Sequence, residues 1–180
     1  MGMFRAALLR GSVDANGDPQ PWFTYPCIEY LRQRDLSGMD VFEFGSGYGT
    51  AYFSKHAKSV TSAENDPVWR NKVLAMTRSR ASIILCRKQP EYLAAINARN
   101  AYDVIVIDGF WRLECAKVVV KKLKHGGMII LDNAEKVEDD GKAAADYLSK
   151  LDLLRVNFFG FSPFTNKIGD TSIFFDLRTP

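Results

Sequence analysis

The sequence predicts a single α/β domain built on a mostly parallel sheet, on three observations. Short apolar runs of strand length alternate with stretches whose apolar residues recur at helical spacing. A glycine-rich segment, Gly45-Ser46-Gly47-Tyr48-Gly49, directly follows the first strand candidate. The chain has 180 residues, 47% of them hydrophobic, which suits one domain with one well-buried core.

Residues 1–21 read as a flexible arm or loop, because Gly11 to Pro21 is rich in Gly, Asp, Asn and Pro. Residues 22–180 form the expected domain. Trp22 to Leu36 is predicted as an N-terminal helix, with Pro26 near its first turn and Ile28 and Leu31 on one face. It is expected to pack over the ligand edge of the sheet, Trp22 and Tyr25 serving as packing aromatics. The first strand runs from Asp40 to Phe44 and a short helix follows to about His56. The second strand, Ser59 to Ala63, ends at Glu64. Asp66-Pro67 then has the form of an N-cap followed by proline at the first helical position, opening a helix to about Arg80.

Ser82 to Cys86 is a third strand, and Pro90 opens another short helix. Asp103 to Ile107 is a fourth, apolar on both faces as a central parallel strand covered by helices must be. Ala116, Val119, Val120 and Leu123 stripe a helix that Gly126-Gly127 should stop before a fifth strand, Met128 to Leu131. After a helix around Ala144 to Leu151, the runs Leu154 to Phe161 and Thr171 to Leu177 read as a hairpin.

Composition narrows the partners. With 24 Lys+Arg against 21 Asp+Glu, the net charge of +3 announces neither a nucleic-acid nor a membrane protein. The basic residues between Lys55 and Lys88 read as a solvated helix face. Cys27, Cys86 and Cys115 are odd in number and unrelated in spacing, so neither a disulfide framework nor a metal motif is implied, and a reducing cytoplasm is expected. No apolar run reaches the length of a membrane span.

In an open parallel sheet, ligands bind beyond the carboxyl ends of the strands. Those ends here carry Glu43 to Gly47, Glu64 to Asp66, Arg87 to Gln89, Asp108-Gly109 and Asp132-Asn133. Glycines after the first strand let a ligand approach the backbone, and an acid at the end of the second can accept both hydroxyls of a ribose. The third glycine of the dinucleotide fingerprint is replaced by Thr50, and Glu43 suits a cationic amino-acid tail better than a pyrophosphate.

Val41 to Thr50 resembles motif I of the class I methyltransferases that use S-adenosylmethionine (SAM). Ala63-Glu64-Asn65-Asp66 resembles their ribose-binding segment, Tyr102 to Gly109 their fourth-strand motif, and Leu123 to Ile130 their turn into the fifth strand, with His125 where that family usually has proline. The resemblance spans roughly Phe23 to Leu177. It implies a three-layer Rossmann-like sandwich with a seven-stranded sheet of order 3-2-1-4-5-7-6, last strand antiparallel. It also implies that Glu43, Phe44, Gly45, Ser46, Gly47 and Tyr48 surround the methionine part of SAM. Glu64 and Asn65 would hold the ribose, and Lys88 and Gln89, which depart from the family's usual residues, would flank the adenine.

Asp108, at the end of the fourth strand, is expected at the methyl-transfer centre. Arg112, four residues on, would pair with it or hold an anionic substrate, and Phe110 and Trp111 are packing aromatics that could also wall the sulfonium. His56 and His125 are assigned no catalytic part. Asp108, Asp132 and Asn133 together offer oxygen ligands for Mg²⁺ or Ca²⁺, a set that resembles metal-dependent O-methyltransferases of the catechol type, against a competing metal-free role for Asp108. The expected activity is methyl transfer to an oxygen or nitrogen of a small-molecule acceptor. A SAM-binding regulatory or assembly subunit and a nicotinamide-dependent oxidoreductase are the rivals.

Overall fold

The computed structural model describes residues 11–163, 165 and 167–177. In chain order the elements are α1 (Tyr25–Arg32), β1 (Asp40–Phe44), α2 (Tyr48–His56), β2 (Ser59–Glu64), α3 (Pro67–Thr77), β3 (Ser82–Leu85), α4 (Gln89–Ala94), β4 (Tyr102–Ile107), α5 (Arg112–Val119), β5 (Leu123–Asp132), α6 (Gly141–Leu148), β6 (Leu154–Phe161) and β7 (Ile168–Phe175). Short 3₁₀ turns extend α4 and α5.

The seven strands form one sheet in the order β3-β2-β1-β4-β5-β7-β6. β7 alone is antiparallel to its neighbours, pairing Met128 with Phe175 on one side and Leu154 with Phe175 on the other. This is the expected Rossmann-like sandwich. Its middle strand shows why: Ile105 and Ile107 point into one core with Tyr92, Cys115 and Leu148, while Val104 and Val106 point into the other with Ile28, Phe53 and Val73. All four β4 side chains are fully buried, so the sheet needs helices on both faces. The cysteines Cys27, Cys86 and Cys115 are free and buried in these layers. Among the described residues no helix is long and apolar enough to cross a membrane.

Several boundaries differ from the sequence reading, among them β7, which begins at Ile168 rather than Thr171. The first helix is shorter than Trp22 to Leu36. Pro26 sits in its first turn, Thr24 in extended backbone precedes it, and Asp35 accepts a bond from the Ser37 amide (2.9 Å) in the turn beyond it. The Thr24 hydroxyl leaves the helix uncapped and donates to the Phe158 carbonyl (2.7 Å), fastening α1 to the β6–β7 hairpin. Tyr30 packs on Phe158 and Phe175 in the same seam. β5 begins at Leu123 rather than Met128, because Gly126, at φ +71°, takes up a register shift against β4 and lets the strand continue. Of the segment 1–21, residues 1–10 lie outside the described residues. Residues 11–21 form a turn in which Val13 bridges Pro19 and the Ser12 hydroxyl donates to the Pro21 carbonyl.

The start of α3 follows the sequence closely. Asp66 Oδ1 accepts from the amides of Val68 (2.7 Å) and Trp69 (3.2 Å), and Pro67 occupies the first turn. Asp66→Ala is therefore expected to cost about 1 kcal/mol, read as a lower urea midpoint at unchanged slope.

Candidate functional site

A cavity of about 500 Å³ opens at the carboxyl ends of β1, β4 and β5. Its walls come from four parts of the chain. The β1–α2 turn gives Gly45 to Gly49 over Glu43, β4 gives Asp108, and the end of β5 and its following turn give Asp132 to Lys136, with Ala134 set behind. The stretch between β6 and β7 gives Ser162, Thr165, Lys167 and Ile168, and Trp22 and Trp69 flank the opening.

The three glycines of the first turn have three different causes. Gly45 has φ +90°, and a Cβ there would come within 2.7 Å of the Asp108 carbonyl oxygen, so β1 and β4 can meet only if it is bare. At Gly49 a Cβ would fall 2.4 Å from Glu43 Oε1, so this glycine admits the carboxyl of its own strand. At Gly47 the nearest heavy atom to such a Cβ is Trp69 Cζ2 at 3.9 Å, an ordinary contact. Among the described residues no atom lies close enough to require glycine at 47.

Glu43 lies beneath this turn, 2% exposed, accepting from the hydroxyls of Thr50 and of Ser62 (3.1 Å). Burial pushes its carboxyl up to about 7 against those bonds, and nearby Glu64 adds to the rise. Asp108 is pushed up to about 7, first by burial, with Arg112 opposing and Glu43 reinforcing. Asp132 is driven well above the usual carboxylate range by burial and by Asp108, although Thr171 Oγ1 donates to it at 2.7 Å. At the opposite, amino ends of the strands, acids are paired instead: Asp40 with Arg99 and Lys124, and Asp103 with Lys124. Among the described residues neither Glu43 nor Asp132 has an ion-pair partner.

Arg112, 7% exposed, lies behind Asp108 (3.6 Å), also reaches Asp139 (3.1 Å), and donates to Asn133 Oδ1 (3.3 Å). The Lys136 ammonium donates to the same amide oxygen (3.0 Å). The divalent-cation site at Asp108, Asp132 and Asn133, which the sequence set against a metal-free role for Asp108, finds no support: two cationic side chains already hold the Asn133 oxygen, and Asp132 is engaged by Thr171. Among the described residues no group of three or more His, Cys, Asp or Glu side chains could hold a metal ion.

Of the residues singled out from sequence, Glu43, Gly45, Ser46, Gly47, Tyr48 and Asp108 come together at the cavity. Phe44 is buried in the core against Phe42 and Tyr92. Glu64 lies behind Ser46 and is fully bonded within the fold. One oxygen accepts from the Ser46 amide (3.0 Å) and hydroxyl (2.7 Å), the other from the amides of Asn65 (2.8 Å) and Asp66 (2.9 Å). Trp69 closes this corner by donating its indole N–H to the Ser46 carbonyl at 2.6 Å. Asn65, Lys88 and Gln89 lie outside the cavity wall, Lys88 exposed and Gln89 at the start of α4. Sequence reasoning missed Trp69, Glu135, Lys136, Ser162, Thr165 and Lys167, which stand in no motif; for Trp69 alone the helical spacing from a capped start offered a signal.

No family model and no curated protein matches the chain. Solved structures do. A putative O-methyltransferase from Klebsiella pneumoniae superposes with a TM-score of 0.65 at 14% identity, covering 98% of this chain and 80% of that one. Cofactor-bound Rv0187 from MTB gives 0.68 at 15% identity, over 99% and 91%. Spermidine synthase from Thermotoga maritima gives 0.58 at 19% identity, over 78% and 53%. Many of the structural neighbours are class I SAM-dependent methyltransferases. The chain shares their fold. The synthase shares it too, so the likeness establishes the fold and not the activity.

The raised carboxyl at Glu43 has a consequence for stability. Between about pH 4.5, the ordinary glutamate value, and about 7, the folded chain holds a proton that the unfolded chain has released, so folding weakens as pH rises through that window. Glu43→Gln, which carries no charge, should lose this slope. At pH 8 it should gain on the order of 3 kcal/mol relative to its difference from the parent at pH 4. Thermal melts across that range would show parallel curves if Glu43 titrated normally.

Proposed function

We propose that residues 22–180 form a SAM-dependent methyltransferase domain acting on an oxygen or nitrogen of a small-molecule acceptor. Gly47 carries this reading. It is bare toward the cavity at the start of α2, yet among the described residues no atom needs it bare, so the space is explained by a ligand that backs onto the chain. The buried carboxylates support it, since SAM brings an ammonium and a sulfonium to a cavity floored by acids.

The residues divide the work. Glu43 and the turn over it face the amino-acid end of SAM. Glu64 supplies the ribose acceptor once Ser46 yields the oxygen it now bonds, with Asn65 beside it and Lys88 and Gln89 toward the adenine. SAM supplies an electrophilic methyl group, and the chain holds the acceptor in line with it. Asp108, with a carboxyl near 7, is matched to take a proton from an acceptor at neutral pH, and Arg112 holds that carboxyl in place. Three buried thiols without a disulfide suit a cytoplasmic setting.

A Cβ at position 47 meets only Trp69 Cζ2, at 3.9 Å, so Gly47→Ala is expected to keep the parental melting temperature, while the bulkier Gly47→Val is expected to abolish SAM and S-adenosylhomocysteine binding in calorimetry. Glu64→Ala should weaken both roughly tenfold to a hundredfold, the loss of a charged hydrogen bond. Unchanged affinity in both Gly47→Val and Glu64→Ala, or binding of NAD in place of SAM, would refute the assignment. Binding without turnover across an acceptor screen would instead favour a regulatory SAM-binding subunit.

SAM affinity should also depend on pH. Below about 7 the Glu43 and Asp108 carboxyls are largely protonated in the free protein, so a cationic ligand must displace protons to bind. The dissociation constant should fall roughly tenfold between pH 6 and pH 8, and Glu43→Gln should flatten that dependence.

A further inference from the structure

The cavity is polarised in a way that SAM alone does not use. Glu43 serves the end beneath the glycine turn, and Asp108 is already partnered by Arg112. That leaves Asp132, 4% exposed and facing the cavity, its carboxylate bonded by the Thr171 hydroxyl and the Asn133 amide and eased by the Arg112 charge, but in no ion pair among the described residues. A buried carboxylate on a cavity floor without a basic partner is a seat for a cation. Lys136 and Lys167 also line the cavity, exposed and in no salt bridge among the described residues, although the Lys136 charge is felt by Asp108; the one exposed acid in the wall, Glu135, accepts from the Asp170 amide at 3.0 Å. A ligand that satisfies both ends carries a positive group at depth and a negative group outward.

We propose that the acceptor is a small amine bearing an anionic group, its ammonium seated on Asp132 and its anionic end met by Lys136 and Lys167. This rests on the reading of the same cavity as a SAM site. It also accounts for the residues that sequence reasoning gave to a metal. An ammonium needs few acceptors and can use Asp132 without the Asn133 oxygen, which Arg112 and Lys136 occupy.

The chemistry balances. Asp132, whose burial favours its protonated form, gives up that proton to solvent as the ammonium seats. For this amine it serves as base in place of Asp108, taking one proton from the ammonium, and the lone pair so freed forms the N–C bond to the methyl carbon. The C–S bond breaks with its electrons remaining on sulfur. The products are an N-methylated ammonium, S-adenosylhomocysteine and a protonated Asp132 that returns its proton to solvent. Burial raises the affinity of this carboxyl for a proton, which suits it to the first step.

The test uses the full chain saturated with S-adenosylhomocysteine, titrated calorimetrically with β-alanine, γ-aminobutyrate and O-phosphoethanolamine, and with butylamine and butyrate as singly charged controls. Turnover with SAM is followed by S-adenosylhomocysteine release. At least one doubly charged compound should bind roughly tenfold or more tighter than either control and be methylated on nitrogen. Asp132→Asn should raise its KM roughly tenfold or more while S-adenosylhomocysteine still binds. The surface change Lys136→Met, which does not burden the core, should erase the advantage over butylamine. Doubly charged compounds binding no better than the controls, or Lys136→Met and Asp132→Asn both behaving as the parent, would overturn the acceptor assignment and leave the SAM reading standing. Failure of S-adenosylhomocysteine itself to bind would remove the SAM reading, and this proposal with it.

Discussion

The site depends on how closely the turns after β1 and β4 approach one another. Gly45 and Gly109 face each other across the gap: a Cβ on the first would strike the Asp108 carbonyl, and one on the second would lie 2.9 Å from the Gly45 Cα. This contact of bare backbones brings Glu43 and Asp108 to one cavity, since parallel strands otherwise hold their ends a strand spacing apart. It also fixes the entry to α2, whose first turn presents Gly47 to the same space.

Once those ends converge, their acids become expensive. At the amino ends of the sheet, Asp40 and Asp103 share Lys124 and gain from it. At the carboxyl ends, Glu43 and Asp132 are buried with neutral hydrogen-bond partners and no ion pair among the described residues, and their elevated proton affinities reflect that cost. A fold selected only for stability would place amides or apolar groups there. Strain of this kind, concentrated where strands end and a cavity opens, marks the place where a ligand completes the electrostatics.

Most of the fold was legible because it rests on local signals. Alternation of strand and helix patterns, the doubly apolar Val104 to Ile107, and Asp66-Pro67 at the start of α3 each reflect interactions within a few residues. The glycine turn was legible as a site, although only one of its three glycines is bare without a cause inside the protein. What stayed hidden depends on distance in the chain. Lys167 reaches the cavity because β7 runs antiparallel and returns the β6–β7 connection beside the turn that leaves β5, the turn that carries Lys136. Neither turn has a motif. The alternative cation site lacks support for a related reason: the strand ends suggested Asp108, Asp132 and Asn133 together, but not the two side-chain cations from Arg112 and Lys136 that compete for the amide oxygen. Glu64 shows the opposite limit, where correct placement at a strand end coexists with four bonds to its own neighbours.

The burial of all three thiols has a practical side. Cys27, Cys86 and Cys115 are each at most 1% exposed, and burial raises their proton affinity, so in the folded chain they are both sheltered and poor in thiolate. Alkylation is then confined to moments when a helical layer lifts from the sheet. Cys27 lies under α1 on one face, Cys86 and Cys115 on the other, so the order in which they are labelled reports which layer opens first. The molecule thus carries its own chemical clock for breathing of its two cores.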